Sequence, residues 1–370
     1  MVKKIILNRK IPIKERIKRL VAYSLSRRGA RILWKRQFRT VFELNPMHRQ
    51  PAEKSIEKAH KVYWKPFRSH INMSTLRNAY GISGIADPKF IPEEIYESDI
   101  EPTLNSTRLV DYLSNKSFYN YWFPGKVFPQ DFFHNVAGEW LDHDLNAVSF
   151  EQIRFIAQNL PYPVVFKPNR DSYGGKDIYF PGDLNELMNL VEKKKNFLIQ
   201  EKIKQHPFFN QFNHHGINTL RVNIYRSVSD NTLNITSMAL RMGVGGSLDN
   251  VTAGGIVTRV RKDGFLNGWA IDNYGKKYVK HPDTGVGFNG QIPNLKRLQE
   301  MVLKIAGKIF YARLMSFDCC YDSDENWRMI EINLFSGTIC FAQEHGALYF
   351  DEFTDEVHDY CIKNHWTLVK

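Results

Sequence analysis

The stretch SFDCCYDSDENWRMIEINLFSG constrains this chain more than any other. Two apolar runs, residues 315–321 and 327–334, flank the polar turn 322–326, a pattern that predicts an antiparallel hairpin. Asp318 falls in the first run. Glu331 and Asn333 lie two apart in the second and so share a face. Charged and amide groups on an apolar sheet are costly unless something pairs with them. Three oxygen-bearing side chains converging on one spot suit Mg2+, which takes hard oxygen ligands and leaves room for phosphates. From these residues alone, a polar solvent face on an edge hairpin is the equal alternative.

Further strands are predicted at 164–167, 197–203, 219–226, 235–242 and 256–260. Helices are predicted at 109–122, 150–160 and 294–313, with a short one near 52–63; residues 80–105 read as loop-rich, with Gly81, Gly84, Pro88, Pro92 and Pro102. Strands and helices mix without strict alternation, so the expected class is α+β rather than a doubly wound parallel sheet. The four cysteines, Cys319, Cys320, Cys340 and Cys361, form no C-x-x-C pair, which argues against a zinc knuckle or a disulfide framework and for a reducing, cytoplasmic setting.

Three other stretches carry polar groups suited to chemistry. In PVVFKPNRDSYGGKDIYF an apolar strand ends at Lys167, a loop follows with Ser172, Gly174 and Gly175, and a second strand is expected from about Lys176. Gly-rich backbone there would expose N–H groups to a phosphate, although a plain hairpin turn is the ordinary reading. FLIQEKI, residues 197–203, places Gln200 and Glu201 at the end of an apolar strand whose backbone suits an adenine edge; an ordinary buried strand is the alternative. Arg221 and Arg241 alternate with apolar residues in their strands and point into a cleft or into water, and Asn250 sits in the loop GGSLDNVTAGG. Arginine binds carboxylate or phosphate oxygens in a bidentate way.

Charge is concentrated at one end. Residues 1–40 hold 14 of the 51 Lys and Arg residues and one of the 39 acidic ones, Glu15. Residues 13–42 read as a basic amphipathic helix, with Ile13, Ile17, Leu20, Val21 and Leu25 on one side and Lys14, Arg16, Lys18 and Arg19 on the other, continuing through Ile32, Leu33, Trp34, Phe38, Val41 and Phe42. Such a helix suits an anionic membrane surface or an acidic partner. The alternative is a helix packed on the body that shows its charged side to water. Nucleic acid is not expected, because no recognised binding module accompanies the charge. No apolar run of transmembrane length exists and no secretory signal is evident.

In chain order, Lys116, Lys167, the Gly-rich loop, 200–203, Arg221, Arg241, Asn250, Asp318, Glu331 and Asn333 form a combination that resembles the ATP-grasp superfamily. Within it, ADPKFIPEEIYESDIEPTLN, DYLSNKSFYNYW, INTLRVNIY, ALRMGVGGSLDNVTAGG and IEINLFSGTICFAQEHG look like the sugar-transfer-associated ATP-grasp proteins of bacterial cell-surface polysaccharide synthesis. The resemblance covers roughly residues 80–350. It implies an ATP-grasp fold, two α+β subdomains sandwiching ATP, with ATP and Mg2+ as cofactors. It would divide the chain into a basic helical segment 1–60, a preceding region 61–115, a catalytic domain 116–355 with a nucleotide-closing part at about 150–203, and a tail 356–370. Lys116 and Lys167 would contact the ATP phosphates, with Ser172, Gly174, Gly175 and Lys176 closing over them. Gln200, Glu201, Lys202 and Ile203 would line the adenine pocket. Arg221 and Arg241 would hold the acceptor carboxylate or the transferred phosphoryl group. Asn250 would order the phosphate end, and Asp318, Glu331 and Asn333 would bind Mg2+. Asp318 stands where many relatives have Glu, and His206 and Asn210 stand near where many have an acidic ribose contact. The implied activity is a carboxylate–amine ligase joining an amino acid or other amine to a sugar carboxylate, in the cytoplasm and peripherally at the inner membrane face. A kinase on the same fold and a non-catalytic scaffold are the rival readings.

Overall fold

The computed structural model describes residues 1–105, 111–170, 176–246, 251, 254–335, 337 and 339–369. Two antiparallel sheets organise the body. The smaller has the strand order β2-β1-β4-β3 and is built from β1 (Asp131–Val136), β2 (Glu139–Asp142), β3 (Val164–Pro168) and β4 (Phe197–Glu201). Helices Phe150–Gln158 and Leu184–Lys193 cover one face of it around Phe133, Ile153, Phe166, Leu187 and Phe197.

The larger sheet has the order β11-β10-β5-β6-β7-β8-β9: β5 (Thr219–Arg226), β6 (Leu233–Met242), β7 (Ile256–Val260), β8 (Ala270–Ile271), β9 (Lys277–Tyr278), β10 (Leu314–Tyr321) and β11 (Trp327–Asn333). Period-two alternation divides its two faces. On β5, Leu220, Val222 and Ile224 enter the main core, which also holds Leu298, Val302 and Ile305 of the helix Leu295–Gly307. Thr219, Arg221 and Asn223 take the other face. The α+β class is as expected, and β5 and β7 have the expected bounds.

Several expectations need correction. The helix expected over 109–122 is broken: Asp111–Ser114 and Lys116–Phe118 are 3-10 turns, followed by the short helix Tyr119–Trp122. Asn115 breaks it, because its side chain accepts from the Ser117 N–H and competes with the helical bond. The loop-rich span 80–105 is instead helical at Glu93–Ile95, through a π-helical Tyr96–Ile100, to Glu101–Leu104. Pro102 is tolerated in the first turn of that last piece, where a missing N–H is not needed. The strand expected from Lys176 reduces to one bridge, Tyr179 opposite Phe166. β4 ends at Glu201, opposite the first residue of β3. The helix expected at 294–313 ends at Gly307.

The long basic helix forms as one element, Ile13–Leu44. Tyr23, Ala30, Phe38 and Val41 face the body. Tyr23 Oη donates to Asp99 at 2.6 Å, and Trp34 Nε1 to Glu97 at 2.9 Å. Asp99 is fully buried; Arg68 and His365 also reach it, tying the N-terminal helix, the 93–104 helix and the C-terminal segment together. Ile13, Ile17, Val21, Leu25 and Ile32 point outward and are 54–67% exposed, against the reading in which that side packs on the body. Arg16 and Arg19, on the opposite side, turn partly inward and donate to the carbonyls of Ile6 and Thr367.

Candidate active site

The polar face of the larger sheet is a register effect. Glu331 pairs with Asp318, Asp318 with Arg221, Arg221 with Ala239, and Ala239 with Arg259, so one row crosses five strands. The neighbouring row runs Asn333, Ser316, Asn223, Ser237. Each side chain faces the same way because each strand enters the row in matching phase.

Asp318 is the hub. Arg221 grips it with two bonds, Nε to Oδ1 at 2.8 Å and NH2 to Oδ2 at 2.7 Å. Arg241 NH1 reaches Oδ2 at 3.1 Å and Asn333 Nδ2 the same oxygen at 3.3 Å. Burial alone would push its carboxyl pKa up, but the two guanidinium groups win and bring it down to about 2. Beside it, Glu331 Oε1 takes the buried Lys116 Nζ at 2.9 Å. Lys116 is held in place because its N–H donates to the carbonyl of Asn169, just beyond β3.

The smaller sheet contributes Lys167, buried on β3. Burial first, and the field of Lys116 second, lower its pKa to about 8. Asp131 on β1 accepts from Gln200 Nε2 at 2.5 Å and from Asn120 Nδ2 at 2.8 Å. Burial outweighs these bonds and raises its pKa to about 6. Glu201 Oε1 accepts the Gln130 N–H at 2.8 Å and pairs with Arg328 of β11, which links the two sheets. Lys202 Nζ lies over the Phe180 ring at 5.4 Å, Ile203 is nearly buried, and Lys176 is exposed. Ser172, Gly174, Gly175 and Asn250 lie outside the described residues.

Lys116, Lys167, Arg221, Arg241, Asp318, Glu331 and Asn333 therefore belong to one connected neighbourhood. Sequence reasoning missed Asp131, Arg259 and Arg328. Arg259 had the same signal as Arg221, a charge alternating with apolar residues in IVTRV; Asp131 had none, because FFHN masks the period of β1. Among the described residues no cluster of three His, Cys, Asp or Glu is placed to hold a metal. Two adjacent carboxylates and an amide on one face are donor types that Mg2+ takes together with substrate phosphates, but Arg221, Arg241 and Lys116 hold the carboxylates here, so a cation would have to displace those pairs.

No curated protein matches the sequence. Solved structures with some likeness include the biotin carboxylase domain of Hydrogenobacter thermophilus 2-oxoglutarate carboxylase, crystallised with MgADP, ADP and bicarbonate: 12% identity, TM-score 0.45, covering 70% of this chain and 48% of that one. Another is N5-carboxyaminoimidazole synthetase from Staphylococcus aureus with ADP: 10% identity, TM-score 0.41, 67% and 54%. A third is L-amino acid ligase from Bacillus licheniformis: 13% identity, TM-score 0.34, 61% and 41%. The chain thus spans about half the length of these proteins, and likenesses this distant carry no chemistry across. The sequence itself is more specific: residues 176–348 match the family model described as sugar-transfer associated ATP-grasp.

Proposed function

We propose that the chain is an ATP-dependent carboxylate–amine ligase working through an acylphosphate. The observation that carries this reading is the juxtaposition of Lys116 and Lys167 with the Glu331–Asp318–Arg221 row, cations and hard oxygen donors brought together from both sheets. Phosphoryl transfer asks little covalent chemistry of a protein and much charge placement. In this reading a substrate carboxylate oxygen attacks the γ-phosphorus while the bond to the β-γ bridging oxygen breaks and ADP leaves. An amine nitrogen then attacks the acyl carbon, the carbon–oxygen bond to phosphate breaks, and the nitrogen releases a proton.

Lys116 and Lys167 neutralise the phosphates; the sequence resemblance assigns Lys176 to them as well, and also Ser172, Gly174, Gly175 and Asn250, which lie outside the described residues. Gln200, Glu201, Lys202 and Ile203 line the adenine side. Arg221 and Arg241 hold the reacting carboxylate. Asp318, Glu331 and Asn333 would hold Mg2+, which would withdraw charge from the phosphate oxygens when bound. The division proposed is 116–355 for the catalytic domain, with 150–203 closing on the nucleotide, preceded by 61–115 and followed by 356–370. The substrates proposed are a uronic acid as carboxylate and an amino acid as amine, in polysaccharide synthesis, as the resemblance of the sequence motifs implies.

The test is Mg2+-dependent ADP release against a panel of uronic acids, each with and without amino acids, beside a Glu331→Ala/Asn333→Ala control. Release that needs both substrates and falls at least about a hundredfold in the control is expected. Release with a sugar alone and no acylphosphate hydrolysis would instead mean a kinase; no ATP binding by folded protein would sink the reading.

The outward face of the long helix is part of the same proposal. Ile17, Val21, Leu25 and Ile32 stand exposed among Lys14, Lys18, Arg28 and Lys35. Aliphatic groups that enter the headgroup boundary beside cations that meet anionic lipid make an interfacial helix, with each Lys or Arg worth about 1 kcal/mol near such a surface. No described helix is long and apolar enough to cross a membrane. Full-length protein is expected to sediment with phosphatidylserine-containing vesicles, to release in high salt, and to bind about tenfold more weakly as Val21→Glu/Leu25→Glu. Equal binding to phosphatidylcholine vesicles, or none at low salt, would overturn it.

A further inference from the structure

Arg259 stands at the far end of the charged row, two strands beyond Arg221, or about 10 Å at ordinary strand spacing. The residue between them is Ala239, so the floor there is a methyl group rather than a third long side chain. Arg221, Arg241 and Arg259 line one cleft with Asn223, Ser237 and Phe341. Asn223 Nδ2 donates to Ser237 Oγ at 2.8 Å, giving the cleft a fixed polar floor.

The three arginines are not equivalent. Arg221 and Arg241 are both engaged by Asp318. The Arg259 guanidinium is partly buried, yet it makes no ion pair or hydrogen bond among the described residues. The acid whose field reaches it is committed elsewhere. Asp351, the nearest influence of opposite sign, pairs with Lys262. His345 lies flat on Trp269, with ring centroids 4.3 Å apart, and burial keeps it neutral. A half-buried cation is expensive to leave unbalanced, and a bidentate oxyanion is the ligand its fork matches.

We propose that Arg259 anchors a second anion subsite in this cleft, one that takes a non-reacting carboxylate of the substrates. This rests on the ligase reading, in which Arg221 and Arg241 hold the reacting group. A group held two strands away is then a different one: the carboxylate of the amino-acid co-substrate, or a second acidic group on the saccharide. Both are carboxylates, and the test separates them.

Phenylglyoxal labels accessible arginines, and the labelled positions can be mapped by peptide mass spectrometry on the full-length protein. Arg259 is expected to react faster than Arg221 and Arg241. In the presence of MgADP, either glucuronate or glutamate is expected to slow Arg259 labelling about tenfold, and the one that does so names the source. Arg259→Gln is expected to raise KM for that acid about tenfold while KM for MgATP is unchanged. Protection of Arg259 by MgADP alone would assign it to the nucleotide, and labelling unaffected by either acid would remove the subsite; both overturn the proposal. If MgADP fails to bind while an acid still protects Arg259, the subsite stands and the ligase reading falls.

Discussion

Replacing Asp318 by alanine is expected to destabilise the protein by about 3–5 kcal/mol, because removing one partner leaves the other charges of a buried cluster uncompensated. Two guanidinium groups and the Asn333 amide converge on that carboxylate, so its loss strands all three donors in a cleft little open to water. The effect has a pH signature. The folded pKa is about 2, below the usual 3.8, so the stability the ionised group contributes is full above about pH 4 and is lost as pH falls through 2. The shift corresponds to about 2 kcal/mol. The difference in urea-unfolding free energy between wild type and variant, followed from pH 6 towards pH 2, isolates this group from the other carboxylates. A loss under about 1 kcal/mol, or a difference flat across that range, would show that the arginines do not depend on Asp318. Nucleotide-dependent turnover is expected to vanish as well, but the stability result stands without any assay of function.

The features legible in the sequence were those that strand periodicity carries. The hairpin around residues 322–326, β5 with Arg221, and β7 all follow from alternation, and Asp318 and Glu331 stand opposite one another because the hairpin register puts them there. What could not be read was set by contacts between distant segments. β1 is flanked by a strand and a loop of similar composition, and Asp131 matters only because β4 brings Gln200 to it. The 93–104 helix carries five acidic residues and Pro102, which suggest a loop; it is held by Arg68, Tyr23 and His365, from three other parts of the chain. The long helix shows the same limit. Its length was legible, but its packing side was not, because aliphatic residues occur all round it. Tyr23 and Trp34 decide the matter with single hydrogen bonds to Asp99 and Glu97, and the aliphatic side is left outward.

Lys167→Met is expected to move stability and nucleotide binding in opposite directions. Lys167 is buried, and its folded pKa of about 8 lies below the 10.5 of an unperturbed lysine. The unfolded chain therefore binds a proton more readily than the folded one between those values, and stability rises with pH across that window. At pH 7 the side chain is charged and burying it costs on the order of 3 kcal/mol. Lys116 adds repulsion, while Asp131 and Glu331 return part of it. Methionine has a similar length and no charge, so the nucleotide-free variant is expected to gain about 1–3 kcal/mol in urea unfolding at pH 7, and its stability to lose the rise between pH 8 and 10.5. The same substitution removes a cation from the phosphate side of the cleft. A hydrogen bond to a charged group is worth about 1.5–3 kcal/mol, so MgADP affinity is expected to fall about 10- to 100-fold, and with it the thermal shift MgADP gives the wild type. A variant that loses stability would mean that Lys167 is a structural ion-pair partner of Asp131. A variant that gains stability and binds MgADP as well as the wild type would mean that the charge is strained for some other ligand. Only the opposed pair of changes fits a lysine kept charged in a dry cleft, at the expense of the empty protein, to meet phosphate.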